Sequence, residues 1–170
     1  HMVKLPVIVY NRDSQSEVLI DAIDLRNKLE EIASVEYAKT GKYIRPIALF
    51  QAQPKGKEDA TTFEKLRDKL VDAGIPAEQI AIRTADVNEL KNVELMSLSC
   101  PIRYIITVNA LKEGWDCPFA YILASLANKT SQVDVEQILG RILRLPHTSQ
   151  HTQSALNMSY VLTSSNDFNN

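Results

Sequence analysis

The chain has 170 residues, within the range of one domain and enough to bury roughly 70% of its unfolded surface. Hydrophobic residues at 45% and charged residues at 24% are those of an ordinary globular protein, and a formal net charge of −2 excludes a generally basic nucleic-acid coat, so any nucleic-acid contact must rest on a local basic patch. No apolar run reaches the ~18 residues of a membrane span, no signal peptide opens the chain, and Cys100 and Cys117 stand alone without metal-ligand spacing; a cytoplasmic, reducing setting with both thiols packed is expected.

His1-Met2 reads as an expression scar, residues 3–163 as a single domain, and the polar tail 164–170 as a cut inside a longer protein. In chain order, Leu5-Pro6-Val7-Ile8-Val9-Tyr10 predicts a strand, with Pro6 at its start where a missing N–H is tolerated. A long helical pattern over 16–37 follows, with Leu19, Ile20, Ile23, Leu25, Leu29, Ile32 and Val35 as its apolar side and charged residues filling the remainder. Thr40-Gly41-Lys42 ends it. Residues 44–50 (I-R-P-I-A-L-F) predict the next strand, and the loop after it carries Gln51, Gln53, Lys55 and Lys57. Thr61-x-x-Glu64 suggests a capping box for a helix with Phe63, Leu66, Leu70 and Val71 on one face, closed by Gly74 and Pro76. A short strand is expected at 79–83, a turn or helix capped by Asp86 after it, and a β-branched, aromatic strand at 102–108. A loop at 109–118 (N-A-L-K-E-G-W-D-C-P), an apolar run at 121–126 and a last strand within 156–162 complete the frame.

Between the last two strands lies V-D-V-E-Q-I-L-G-R-I-L-R-L-P, residues 133–146. Turned at roughly 100° per residue, it puts Val135, Ile138, Leu139, Ile142 and Leu143 on one side and Gln137, Gly140, Arg141 and Arg144 on the other. Two guanidinium groups about one turn apart, beside an amide and a glycine, suit the gripping of an anion, because each presents a planar fork of donors. Gly140 inside a helix costs about 1 kcal/mol relative to Ala, which suggests a close approach to the backbone there. A solvated basic face is the plainer reading of the same pattern.

Strand, helix, strand, repeated about five times, predicts a three-layer α/β/α sandwich with a mainly parallel sheet. In such sheets ligands sit at the carboxyl ends of the strands, so the loop at 109–118 and the helix at 133–144 are expected to meet there. Lys112, Glu113, Gly114 and Asp116 are the loop's polar offerings; Asp116 could serve a sugar hydroxyl or simply bond its own turn. Trp115 reads as a buried ring, and His147 and His151 as solvated. The chain has no G-x-S-x-G, no H-E-x-x-H and no Cys-His cluster.

Gln137-x-x-Gly140-Arg141-x-x-Arg144 resembles motif VI of superfamily 2 helicases and translocases, and Ala110-Leu111-Lys112-Glu113-Gly114-Trp115-Asp116-x-Pro118 resembles their motif V. The E-G-W-D form followed by Q-I-L-G-R-I-L-R-L-P looks most like the restriction subunit of type III restriction-modification enzymes. The match runs from about Cys100 to Pro146 and is architectural before that, with residues 44–53 at the place of motif IV. It implies the second RecA-like domain of an ATP-dependent DNA motor, of the P-loop NTPase type. ATP with Mg²⁺ would be held mainly by a first domain, the N-terminal RecA-like domain of the same parent. DNA and a modification (methyltransferase) subunit are the further partners implied, and no membrane. Carried over by position, Arg141 and Arg144 would be arginine fingers; Gly114, Asp116, Gln137 and Gly140 would line the nucleotide; Lys112, Gln51 and Gln53 would touch nucleic acid; and no residue would hold a metal.

Two departures stand out. Ile138 occupies a place where many superfamily 2 proteins carry Arg, and Val108 stands where Thr is common, with Thr107 one residue earlier. The chain also lacks G-x-x-x-x-G-K-[ST] and any D-E-x-H or D-E-x-D box, so this chain alone is expected not to hydrolyse ATP. The alternative is a non-catalytic RecA-like module that binds a partner protein or nucleic acid.

Overall fold

Six of the apolar runs pair side by side, all parallel, in the computed structural model of the chain, which describes residues 7–52, 62–108, 116–126, 132–141, 143–144 and 151–164. Strand β1 (Val7–Asn11) leads through helix α1 (Gln15–Thr40) to β2 (Ile47–Gln51), and α2 (Phe63–Asp72) leads to β3 (Ile80–Ile82). After β4 (Tyr104–Thr107), a two-residue β5 (Cys117–Pro118) precedes β6 (Ala120–Ser125). Helix α3 (Gln132–Arg141), a two-residue β7 (Leu143–Arg144) and β8 (Ser159–Thr163) complete the described elements. The sheet order is β1-β8-β6-β2-β4-β3, and β5 and β7 form a separate parallel ladder.

Strands β2, β4, β6 and β8 are buried almost throughout, the state their unbroken apolar runs require in a sheet covered on both faces. The steps β1 to β2 and β2 to β3 run one way across the sheet, and β6 to β8 runs the other. Right-handed crossovers therefore set α1 and α2 on one face and α3 on the opposite one. A groove shared by Leu19 and Ile20 of α1 with Lys69 and Asp72 of α2 agrees with that placement. The result is an α/β domain with a wholly parallel sheet, consistent with a RecA-like α/β/α sandwich. Among the described residues no helix is long and apolar enough to cross a membrane.

Helix α1 starts on Ser14, whose Oγ accepts from the Glu17 N–H at 3.2 Å, and ends on Gly41 at φ 76°, the left-handed position that favours glycine. Its buried stripe corrects the expected one. Ile20 and Val35 are exposed at 54% and 45%, while Val18, Leu19, Ala22, Arg26, Leu29, Ala33 and Glu36 face inward. Helix α2 is capped by Thr62, whose Oγ1 accepts from the Lys65 N–H at 3.4 Å. Glu64 thus falls at the second helical position after this cap rather than the third, and Thr61, the other half of the expected capping box, lies outside the described residues. Leu66 and Leu70 are buried, Val71 is exposed, and Gly74 lies at φ 100° just past the helix end. Asp86 caps no helix; the Thr84 Oγ1 instead accepts from the Asp86 and Val87 N–H groups, turning the chain so that Asn88 pairs with Arg83.

Candidate functional site

Helix α3 separates into the two expected sides only as far as it runs. Val135 and Ile138 are buried and Leu139 partly so, whereas Gln137, Gly140 and Arg141 are exposed. The helix stops at Arg141, and Leu143 and Arg144 leave it to pair as β7 with β5, Cys117 opposite Leu143 and Pro118 opposite Arg144. This corrects the reading of Arg141 and Arg144 as one helix face about a turn apart, and of Leu143 as part of the apolar stripe. Pro146 sets an outer limit, because a helix running through it would drive its ring against the carbonyl of Ile142, and the helix ends before that limit. Among the described residues, a Cβ placed on Gly140 would meet no atom beyond its own helix and chain neighbours within 4 Å, so none of them makes a close approach there.

The ladder unites the two stretches that carry the motif resemblance, but not at the expected rim. Strand β5 ends two residues before β6 begins, so the ladder stands where the parallel strands start rather than at their carboxyl ends. Asp116, exposed, immediately precedes it. Gln51 lies at the opposite rim, the last residue of β2, in register with Thr107 of β4 and Ser125 of β6. The expected site residues are thus divided between two ends of the sheet. Gln53, Lys112 and Gly114, with Trp115 and His147, lie outside the described residues.

Between β5 and β6, Phe119 adopts φ 70° while buried to 1% exposure, a backbone state that costs a non-glycine residue roughly 1–2 kcal/mol. Packing compensates. Its ring meets the Tyr43 ring edge-on at 5.9 Å, the Arg45 guanidinium lies over it at 5.5 Å, and its carbonyl accepts from the Ile47 N–H at 2.8 Å. Arg45 is itself 1% exposed and spends its donors on the Ile102 carbonyl at 2.8 Å, the Ser97 carbonyl at 2.9 Å, the Leu95 carbonyl and the Tyr43 hydroxyl. Burial pushes the Cys117 thiol up, the nearby Asp116 charge adds to this and Arg45 opposes it, so Cys117 stays a protonated, unreactive thiol. A groove of about 420 Å³ opens beside the ladder, walled by Arg83, Asn88, Glu94, Met96, Asp116 and Pro118.

The same rim holds charges that the amphipathic pattern hides. Arg26 donates to the Pro46 carbonyl at 2.9 Å, the Tyr104 hydroxyl at 3.2 Å and Glu30 at 2.6 Å. Arg103 meets Glu30 with two parallel bonds, Nε to Oε1 at 2.8 Å and an outer nitrogen to Oε2 at 3.0 Å. Burial would raise the Glu30 carboxyl, but hydrogen bonds from Arg103 and Arg26, with their charges, hold it at about 2. Glu36 is fully buried and accepts from the Thr152 N–H at 3.1 Å, the Thr152 hydroxyl at 2.7 Å and the Gln153 N–H at 2.9 Å. Its carboxyl, which burial alone would raise, is held at about 2 by those bonds and by His151 nearby. His151 is buried at 6% exposure, not solvated as its polar neighbourhood suggested, with Nδ1 3.8 Å from Glu36 Oε2. A signal existed for Arg26 and Glu36: both continue the inward spacing of Val18, Ala22, Leu29 and Ala33.

At the other rim the strands end in a row of neutral polar residues. Register pairs Asn11 with Thr163, Thr163 with Ser125, Ser125 with Gln51 and Gln51 with Thr107. In-register partners of a parallel sheet share one face, so the row is continuous across five strands. Thr107, Ser125 and Thr163 are buried. Together, the wholly parallel sheet, the motif-bearing ladder at one end and the polar row at the other define an α/β domain with two chemically distinct rims. No protein-family model, curated protein or solved structure matches the chain.

Proposed function

We propose that this chain is the second motor domain of an ATP-dependent DNA translocase or helicase, of the kind found in type III restriction enzymes. The observation that carries this reading is the β5–β7 ladder, which joins the end of the motif-V-like stretch to the end of the motif-VI-like stretch. Two sequence segments that only the family resemblance connects are thereby neighbours in space. Arg141, exposed at the end of α3, and Arg144, whose backbone pairs in the ladder, are of the residue type suited to phosphate oxygens, and Asp116, exposed one residue before the ladder, is of the type suited to a sugar hydroxyl. This donor set fits the phosphate end of a nucleotide whose Mg²⁺ and remaining contacts come from a first domain. Bound there, ATP would supply the phosphoryl group whose developing charge an arginine finger stabilises, worth about 10³-fold or more in rate.

The division between rims supports separate paths for nucleotide and DNA. Amide side chains such as those of Asn11 and Gln51, the members of this row that reach the surface, are of the type that contacts phosphate and sugar without reading sequence, which suits a motor that tracks along DNA. Gln51 is the described member of the expected nucleic-acid set that lies in this row. The proposal places the domain in a cytoplasmic enzyme together with a phosphate-loop domain of the same parent. The test is Arg141→Ala in the parent protein, read as DNA-stimulated ATPase. A fall of about 10³-fold in kcat with DNA binding retained is expected; an unchanged rate overturns the reading and leaves a binding module.

A further inference from the structure

We infer that Arg45 is a positioning residue for the β5–β7 ladder: through Phe119 it fixes the corner at which β5 turns into β6, and so the backbone against which Arg144 pairs. The functional consequence rests on the proposed arginine-finger role, while the geometry stands apart from it. Arg45 lies outside both the motif-V-like and the motif-VI-like stretch.

Every link from Arg45 to Arg144 is a described contact or a peptide bond. Phe119 is the single residue between Pro118, which ends β5, and Ala120, which begins β6. Its φ of 70° therefore sets the angle between a strand of the main sheet and a strand of the separate two-stranded ladder. A phenylalanine stays in that backbone region only where its surroundings over-determine it. Here the Arg45 guanidinium lies over the ring and the Tyr43 ring meets it edge-on. Ile47, two residues after Arg45, donates its N–H to the Phe119 carbonyl. On the far side of the corner, Cys117 pairs with Leu143 and Pro118 with Arg144. Catalytic groups lose rate steeply when misplaced, on the order of 10²-fold for about 1 Å.

Arg45 can hold this corner because it is itself held. Its partners are uncharged: the carbonyls of Leu95, Ser97 and Ile102, the Tyr43 hydroxyl, and the rings of Tyr43 and Phe119. A buried cation among uncharged partners forfeits its hydration, so its donors must be filled in a fixed geometry, which a planar fork achieves and a single ammonium does not. Residues 83–101 join β3 to β4 as a strap without a helix, and Leu95 and Ser97 belong to it. One guanidinium thus ties the strap to the corner. These are the two walls of the groove of about 420 Å³, with Leu95 and Met96 on one side and Pro118 on the other. Arg45→Lys keeps the charge and loses the fork; Phe119→Leu keeps an apolar side chain and loses the ring face that Arg45 covers.

Hydrogen exchange on the 170-residue chain tests the positioning without nucleotide or DNA. Arg45→Lys and Phe119→Leu are each expected to speed exchange of the amides at 47, 117 and 143–144 about tenfold or more, with β1 and β8 unchanged. Arg103→Ala, which removes a bonded charge from the same rim without touching Phe119, should leave those amides as they are. If Arg45→Lys unfolds the chain, Phe119→Leu alone decides. Exchange at 143–144 that is unchanged in the folded variants, or that Arg103→Ala speeds equally, overturns the inference whatever the motor does. In the parent protein, Arg45→Lys should lower ATPase kcat about tenfold with KM for ATP within about twofold. Faster exchange with an unchanged kcat overturns the catalytic consequence. Arg144→Ala, measured alongside, separates the two ideas: an unchanged kcat there removes the arginine-finger reading of Arg144 and leaves the positioning of the ladder to be decided by exchange.

Discussion

At the rim where the strands begin, Arg26, Arg45, Arg103, Glu30 and Glu36 are drawn into the fold; at the rim where they end, Asn11, Thr163, Ser125, Gln51 and Thr107 form an uncharged row. Helix α1 contributes to the first through Arg26, Glu30 and Glu36, whose charges reach Pro46, Arg103 and Thr152. A buried charge is tolerated only when its hydrogen bonds are filled, and filling them ties distant segments together. The starting rim is therefore expected to be the stiff one. The ending rim carries no charge in its row, where Thr107, Ser125 and Thr163 are buried and Asn11 and Gln51 reach the surface.

The largest test of this contrast is Arg45→Ala. It strips the guanidinium from the buried carbonyls of Ile102 and Ser97 and from the face of Phe119, and should cost at least about 4 kcal/mol in urea unfolding. Arg45→Lys should recover only part, because one ammonium cannot reach partners so spread. A loss below about 1 kcal/mol would mean that this rim is not stiff.

Acid comes next. Glu30 and Glu36 are held at about 2 against an ordinary 4.5, so their stabilisation is complete above about pH 4.5 and is lost as pH falls towards 2. Urea midpoints should decline across that window. Arg103→Ala, which frees Glu30 from its two-bond partner, should make the decline shallower; an unaltered slope would show that the pair carries no pH dependence.

Smaller effects belong to the other rim. Thr107→Val should cost about 1 kcal/mol, because it puts a methyl in place of a fully buried hydroxyl. Gln51→Ala should change stability by no more than about 0.5 kcal/mol while weakening DNA binding by the parent protein in a filter or anisotropy assay. Equal losses from Gln51→Ala and Arg45→Ala in unfolding would erase the distinction between the rims.

Much of the frame was legible because it is local. The run Ile47-Ala48-Leu49-Phe50 reads as a buried strand and is one; Gly41 and Gly74 mark helix ends at which φ is positive. The end of α3 was not legible in this way, since the apolar period runs unbroken through Leu143 and Pro146 bars a helix only from its own position onward. The inward turn of Arg26 and Glu36 was harder to read, since charged residues at helical spacing belong on the solvated side unless partners elsewhere receive them. Those partners, Pro46, Tyr104, Thr152 and Gln153, lie 20 to 117 positions away.

By itself the sequence determined the alternation of strand and helix, the glycine end of α1 and the separation of α3 into a buried side with Val135 and Ile138 and an exposed side with Gln137, Gly140 and Arg141. Each follows from rotation per residue, backbone preference and burial of apolar surface within a few turns of chain. Only the tertiary structure decided the strand order, the pairing of Cys117–Pro118 with Leu143–Arg144 at the starting rim, and the docking of the His151 turn on Glu36. These depend on which backbone edges pair and which buried charges find filled hydrogen bonds, and both are settled between residues far apart in the chain.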